Sequence, residues 1–168
     1  MIHAVRKQFV VVVSLAALLL GSGCSTTFNR DWQAAAAAPA PTNSIEGRWE
    51  GKWLSDQNGH NGRLRALIRK LDNGQYETRF HAKYAGILSF GMQVKLDVKP
   101  ADGQWQFNGA EDLGKPWGVY RYEGKASTTN FFSTYKASLD HGTFQMIDRK
   151  STRLNSSHVA LSRMPSSA

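Results

Sequence analysis

Residues 45–53 read Ile-Glu-Gly-Arg-Trp-Glu-Gly-Lys-Trp. The odd positions are apolar or glycine, and every even position carries a charge. Side chains that change character at each second residue lie on opposite faces of an extended strand, one toward a core and one toward water. The same period returns further on. Met92, Val94, Leu96 and Val98 alternate with Gln93, Lys95, Asp97 and Lys99. Tyr76, Thr78, Phe80, Ala82 and Tyr84 alternate with Gln75, Glu77, Arg79, His81 and Lys83. Leu64, Ala66 and Ile68 sit among Arg63, Arg65 and Arg69, with Leu67 the exception. No helical period runs through 45–147. Strands with one wet face and one dry face belong to antiparallel sheets.

The pattern predicts eight strands, at 46–54, 63–71, 75–84, 92–99, 104–109, 118–127, 131–139 and 143–147. Turn-forming stretches separate them: Asp72-Asn73-Gly74, Ala101-Asp102-Gly103, Thr128-Thr129-Asn130 and Asp140-His141-Gly142. Short sequential connections make neighbours pair, which gives a meander. Eight strands with one apolar face close into an up-and-down barrel that leaves no sticky edge. A two-sheet sandwich is the alternative.

Gly47-Arg48-Trp49 resembles the G-x-W opening of lipocalin-like and avidin-like barrels, where the tryptophan packs across the barrel base. The wider pattern adds Trp53, Asp112-Leu113-Gly114, Gly118-x-Tyr120-x-Tyr122-x-Gly124 and Asp140-His141-Gly142-Thr143-Phe144. It is similar to a group of uncharacterised secreted bacterial proteins. The first resemblance implies the barrel; the second implies no activity.

The two ends of the chain carry other signals. Arg6 and Lys7, an apolar run from Phe9 to Leu20, and Gly21-Ser22-Gly23 have the layout of a signal peptide over 1–23. The apolar run is short for a membrane span. Cys24, the sole cysteine, follows it directly. This resembles the lipobox of bacterial lipoproteins. The resemblance implies that Cys24 is lipidated, with acyl chains such as palmitate, and anchors the protein to a membrane. Ser25 beside it implies the outer membrane, facing the periplasm. Residues 24–44, with Ala34 to Ala38 and then Pro39 and Pro41, read as a flexible tether spanning roughly 25 Å. The barrel domain is expected over 45–147. Residues 148–168, DRKSTRLNSSHVALSRMPSSA, resemble a translated sequencing adapter. That implies a non-native, disordered tail and a native sequence ending near Ile147.

Trimming both ends changes the charge argument. The whole chain has 21 Lys and Arg against 13 Asp and Glu, a formal net charge of +8. Two of the basic residues fall in 1–23, and four, with one acid, fall in 148–168. Residues 24–147 keep 15 basic and 12 acidic side chains, a net +3. That is an ordinary solvated surface and gives nucleic-acid binding no support. With Cys24 committed, the domain can form no internal disulfide, and no CxxC or zinc-ligand spacing is present. No cofactor is expected.

In a meander the connections alternate between two ends. The tight turns at 72–74, 100–103 and 128–130 share one end. The longer or glycine-rich stretches Ser55 to Gly62, Ala85 to Gly91 and Ala110 to Trp117, with Asp140 to Gly142, share the other. Function concentrates on loops that a rigid scaffold presents. An eight-stranded interior is either filled by side chains or holds one small ligand. In the filled version Trp49, Trp53, Tyr76, Phe80, Trp105, Phe107, Tyr120 and Tyr122 occupy it. Gly47, Gly51, Gly109 and Gly124 leave room there for a ligand or for neighbouring rings.

The ligand-binding candidates at the open end are Trp53, Tyr84, Trp117 and Tyr120. Trp117, between Pro116 and Gly118, either stacks on a ligand or caps the mouth. His60, His81 and His141 are weak candidates for a metal or acid–base cluster with Asp56, Asp112 and Asp140; their spacing lends no support, and isolated surface histidines are the simpler reading. Asp140-His141-Gly142 reads as a hairpin turn with glycine at positive φ. No serine sits in a nucleophile motif and no glycine-rich phosphate loop follows a strand. The expectation is therefore a lipid-anchored envelope protein, not an enzyme, that takes a small apolar or amphiphilic ligand at the open end. A carbohydrate or cell-wall recognition module is the alternative, and a metal-dependent enzyme ranks last.

Overall fold

The structure, a computed structural model, describes residues 26–39 and 41–149. The signal segment 1–23, Cys24 and residues 150–168 lie outside the described residues. Eight strands form a closed, all-antiparallel, up-and-down barrel: β1 (Gly47–Ser55), β2 (Asn61–Lys70), β3 (Tyr76–Tyr84), β4 (Leu88–Ala101), β5 (Gln104–Asp112), β6 (Val119–Ala126), β7 (Asn130–Lys136) and β8 (His141–Asp148). This is the all-β, lipocalin-like architecture expected from the alternation. The sandwich is excluded, because β8 returns to pair with β1, from Ser55↔Gly142 to Trp49↔Asp148.

The quoted stretch behaves as its period dictates. Trp49 and Trp53 point inward and are buried, while Arg48 and Glu50 face outward. Trp49 is fully buried, and its Nε1 donates to the Ile45 carbonyl oxygen at 2.8 Å. Its ring lies 5.8 Å from that of Phe131, which stacks on Phe107 at 4.6 Å. These residues fill the end that holds the tight turns, hereafter the base. Gly51, Gly109 and Gly124 make no room for a ligand. A Cβ on Gly124 would stand 2.6 Å from Phe107 Cζ and collide with the Phe132 carbonyl oxygen. One on Gly109 would lie 2.8 Å from Leu96 Cδ2, and one on Gly51 would strike the backbone of Gln145 and Met146. They are small so that strands and rings can close together.

Four differences from the sequence reading bear on the site. First, β4 starts at Leu88, not 92, so the supposed loop 85–91 shrinks to a turn in which Ala85 (φ 50°) and Gly86 (φ 75°) are left-handed. Leu88 and Phe90 do alternate with Ser89 and Gly91, but both are exposed at the mouth, so the strand has no buried face to announce it.

Second, part of the predicted tether is folded. Residues 26–37 form helix α1, which buries Phe28 and Trp32 (3% and 6% exposed) against the outer barrel wall. Phe28 and Trp32 are four apart and so share a helix face. Phe28 stacks on His81 at 4.9 Å. The Arg65 guanidinium lies 5.2 Å from the Phe28 ring and 5.1 Å from Trp32, and Arg48 covers Trp32 at 5.3 Å. Arg79 pairs with Asp31 at 2.6 Å. A row of arginines on β1, β2 and β3 therefore replaces the usual apolar groove as the helix seat, through cation–π contact. No described helix is long and apolar enough to cross a membrane.

Third, the barrel does not stop at Ile147. Asp148 is buried within β8, and its N–H donates to the Thr129 carbonyl at 2.9 Å. The Arg149 N–H donates to the Arg48 carbonyl at 2.9 Å, and its side chain pairs with Glu50 at 2.8 Å.

Fourth, the ladder between β4 and β5 runs only from Ala101↔Gln104 to Leu96↔Gly109. The mouth-side part of β4 is registered to β3 alone, from Tyr84↔Leu88 to Tyr76↔Leu96.

Candidate functional site

At the mouth the interior is not filled. A cavity of about 640 Å³ opens between Trp53, Ala82, Phe90, Met92, Tyr120 and Phe144, with Leu113, Trp117, Tyr135 and Asp140 completing its wall. This is the end that carries the long connections after β1 and β5. Two glycines explain why aromatic residues here leave a void while those at the base do not. Trp53 Nε1 donates to the Lys83 carbonyl oxygen at 3.0 Å, reaching from β1 across β2 to β3. Gly62 lies beneath that indole: a Cβ there would meet Trp53 Nε1 at 2.9 Å and collide with the Lys83 carbonyl. The ring is thus laid along the wall instead of projecting into the lumen. Gly142 does the same for Tyr135, whose hydroxyl would stand 2.9 Å from a Cβ at that position. Gly142 is not at positive φ, so its role is this close approach and not the hairpin chemistry first read there.

The Tyr135 hydroxyl donates to Asp140 Oδ2 at 3.1 Å. Ser55 Oγ, buried on β1, donates to Asp140 Oδ1 at 2.6 Å. Tyr135 packs against Phe144 at 4.9 Å and stacks on Tyr120 at 6.1 Å. Burial, and then the Asp140 charge, push the phenols of Tyr120 and Tyr135 above the usual tyrosine value. Deeper in, Tyr122 is also pushed up, mainly by burial. Its hydroxyl donates to Met92 Sδ at 3.1 Å, closing the floor under the β4–β5 gap.

Of the residues singled out from sequence, Trp53, Trp117 and Tyr120 line the cavity. Trp117 is 53% exposed and forms a lip. Tyr84 stands just outside, its ring 6.2 Å from Trp53 and 4.8 Å from His60. His60 is at the rim of the cavity. His141 is exposed at the start of β8. His81 is not a surface histidine: it is buried beneath Phe28 on the outer wall, away from the mouth. Burial and the positive charges of Arg65, Lys83 and Arg63 hold it below the usual histidine range. Among the described residues no three His, Cys, Asp or Glu side chains converge. Asp112 does what its turn chemistry requires, with Oδ1 accepting from the Gly114 N–H at 2.9 Å and Gly114 at φ 73°.

Sequence reasoning passed over Phe90, Tyr135, Phe144 and the Ser55–Asp140 pair as site residues. The available signal was register: Gly62 and Gly142 both fall opposite Trp53 or Tyr135 on the neighbouring strand. A second hollow, of about 1020 Å³, runs along α1 and the adjoining wall between Asp31, Arg79 and Gln93. It has no comparable convergence of rings. No family model, curated protein or solved structure matches the chain.

Proposed function

We propose that the protein binds a small apolar or amphiphilic molecule in the mouth half of its barrel and does so at a cell-envelope membrane, held there by lipidated Cys24. The observation that carries the binding reading is the cavity: about 640 Å³, within the roughly 300–1,000 Å³ typical of small-molecule sites. Its wall combines aromatic and thioether surface with one hydrogen-bonded polar cluster, which is the composition such sites share. The anchoring part rests on the lipobox resemblance around Cys24 alone.

Titration of the full chain with the neutral probe N-phenyl-1-naphthylamine tests the binding part. Saturable fluorescence enhancement is expected, and it should be lost in Ala82→Phe, where the new ring occupies the lumen. Absence of saturation in the parent protein overturns the reading. Detergent phase partitioning tests the anchor: the parent should enter the detergent phase and Cys24→Ala should stay in the aqueous phase. A parent protein found only in the aqueous phase removes the anchor without touching the cavity.

The carbohydrate-module alternative wants Trp117 and Tyr84 on one flat exposed face. Trp117 instead edges a concave site, and Tyr84 is packed on Trp53 and His60. That arrangement favours the lumen over the outer surface.

A further inference from the structure

The cavity wall has an unequal charge content. Asp140 is its one charged carboxylate among the described residues, and no lysine or arginine lines it. Asp140 is half-buried, and each of its oxygens already accepts one hydrogen bond, from Ser55 and from Tyr135. An ionised carboxylate can accept about four, so acceptor capacity remains on a residue that lines the cavity. The same cavity wall carries the rings of Trp53, Trp117, Tyr120 and Tyr135, the last bonded to Asp140. Aromatic faces attract cations through their quadrupole. The weakened acidity of Tyr120 and Tyr135 has the Asp140 charge among its causes. Asp140 thus acts on the two phenols beside it: Tyr135, which is bonded to it, and Tyr120, which stacks on Tyr135. An anionic head group entering this space would meet the Asp140 carboxylate with no lysine or arginine in the wall to offset it, His60 at the rim being the one basic side chain there, whereas an ammonium would meet an acceptor and a set of rings.

We propose that the ligand is a cationic amphiphile, an amine or quaternary ammonium with an apolar body, whose head group is received by Asp140 within the aromatic wall. This rests on the reading of the cavity as a ligand site and assigns that ligand its chemical class. Ser55 and Tyr135 act as positioning residues, holding the Asp140 carboxylate toward the lumen.

Three probes that share one tail and differ in the head separate the two ideas: decylammonium, decanol and decanoate, each titrated below its micelle concentration into the full chain by calorimetry. Decylammonium should bind at least about tenfold tighter than decanoate, with decanol between them. Asp140→Asn should bring decylammonium to the level of decanol and leave decanol within about twofold of the parent. Tyr135→Phe, which retains the charge, should keep the order of the three. If the probes bind the parent equally, or decanoate binds best, the head-group assignment falls and the cavity reading stands. If none binds, both fall together. The ranking in the parent protein decides the matter even if Asp140→Asn fails to fold.

Discussion

The two halves of the barrel interior are made from the same residue types on the same strands, yet one is solid and the other hollow. At the base, Trp49 projects into the lumen, meets Phe131 and is fully buried. At the mouth, Trp53, four residues later on the same strand face, is laid against the wall by a hydrogen bond to Lys83 across Gly62. The base glycines Gly51, Gly109 and Gly124 draw backbone and rings together. The mouth glycines Gly62 and Gly142 let rings fold back out of the way. What decides between core and cavity is which neighbour faces the glycine, not how many aromatics are present.

Mutations should separate the halves in a graded way. The largest effect is expected from Trp49→Ala, at about 3–5 kcal/mol of stability, read from urea denaturation. A loss below about 1 kcal/mol would mean that the base is not the solid half. Gly124→Ala should cost about 1–3 kcal/mol by overpacking against Phe107 and the Phe132 carbonyl; the same measurement checks it, and an unchanged midpoint would contradict the close packing. Tyr135→Phe, at the mouth, removes one hydrogen bond to Asp140 and should cost about 1 kcal/mol while altering ligand affinity. Base substitutions should alter ligand affinity far less.

On the outer wall, acid should act through His81 and Asp31. His81 is held below the ordinary value of 6.5, so the folded state favours its neutral form. Its contribution is complete above 6.5 and is lost as pH falls through the depressed value. Asp31 is likewise held low by its bonds to Arg79 and Arg30, so its contribution is lost only below 3.8. Hydrogen exchange in α1 should accelerate in the His81 window first. A His81→Gln variant should lack that step, and persistence of the step would assign it elsewhere. The smallest change in stability is expected from Trp117→Ala, within about 0.5 kcal/mol for an exposed position. Binding of N-phenyl-1-naphthylamine should weaken in the same variant, and unchanged binding would place the ligand below the lip.

The barrel was legible because its signal is local: a side chain reports its own face at every second residue. The base turns were legible for the same reason, since Asp72-Asn73-Gly74 and Ala101-Asp102-Gly103 carry their own backbone chemistry. The start of β4 was hidden because Leu88 and Phe90 are apolar without being buried. Helix α1 was hidden because its seat consists of Arg48, Arg65 and Arg79, which in one dimension look like solvated charge. Trp53, Trp117 and Tyr120 could be placed at the open end from the alternation of connections along the meander, though not at a cavity. Ser55 and Asp140 could not, because their meeting depends on the β1–β8 register that closes the barrel.

The partial ladder between β4 and β5 sets a direction of least resistance. Elsewhere the staves are bonded nearly end to end, but here the pairing stops at Leu96↔Gly109. Opening of the wall is expected to begin at that point and run toward the rim, as a sleeve parts along an unfinished seam. For the proposed ligand, such a seam would offer a lateral way in and out, between Phe90 and Leu113, that leaves the rest of the cylinder intact.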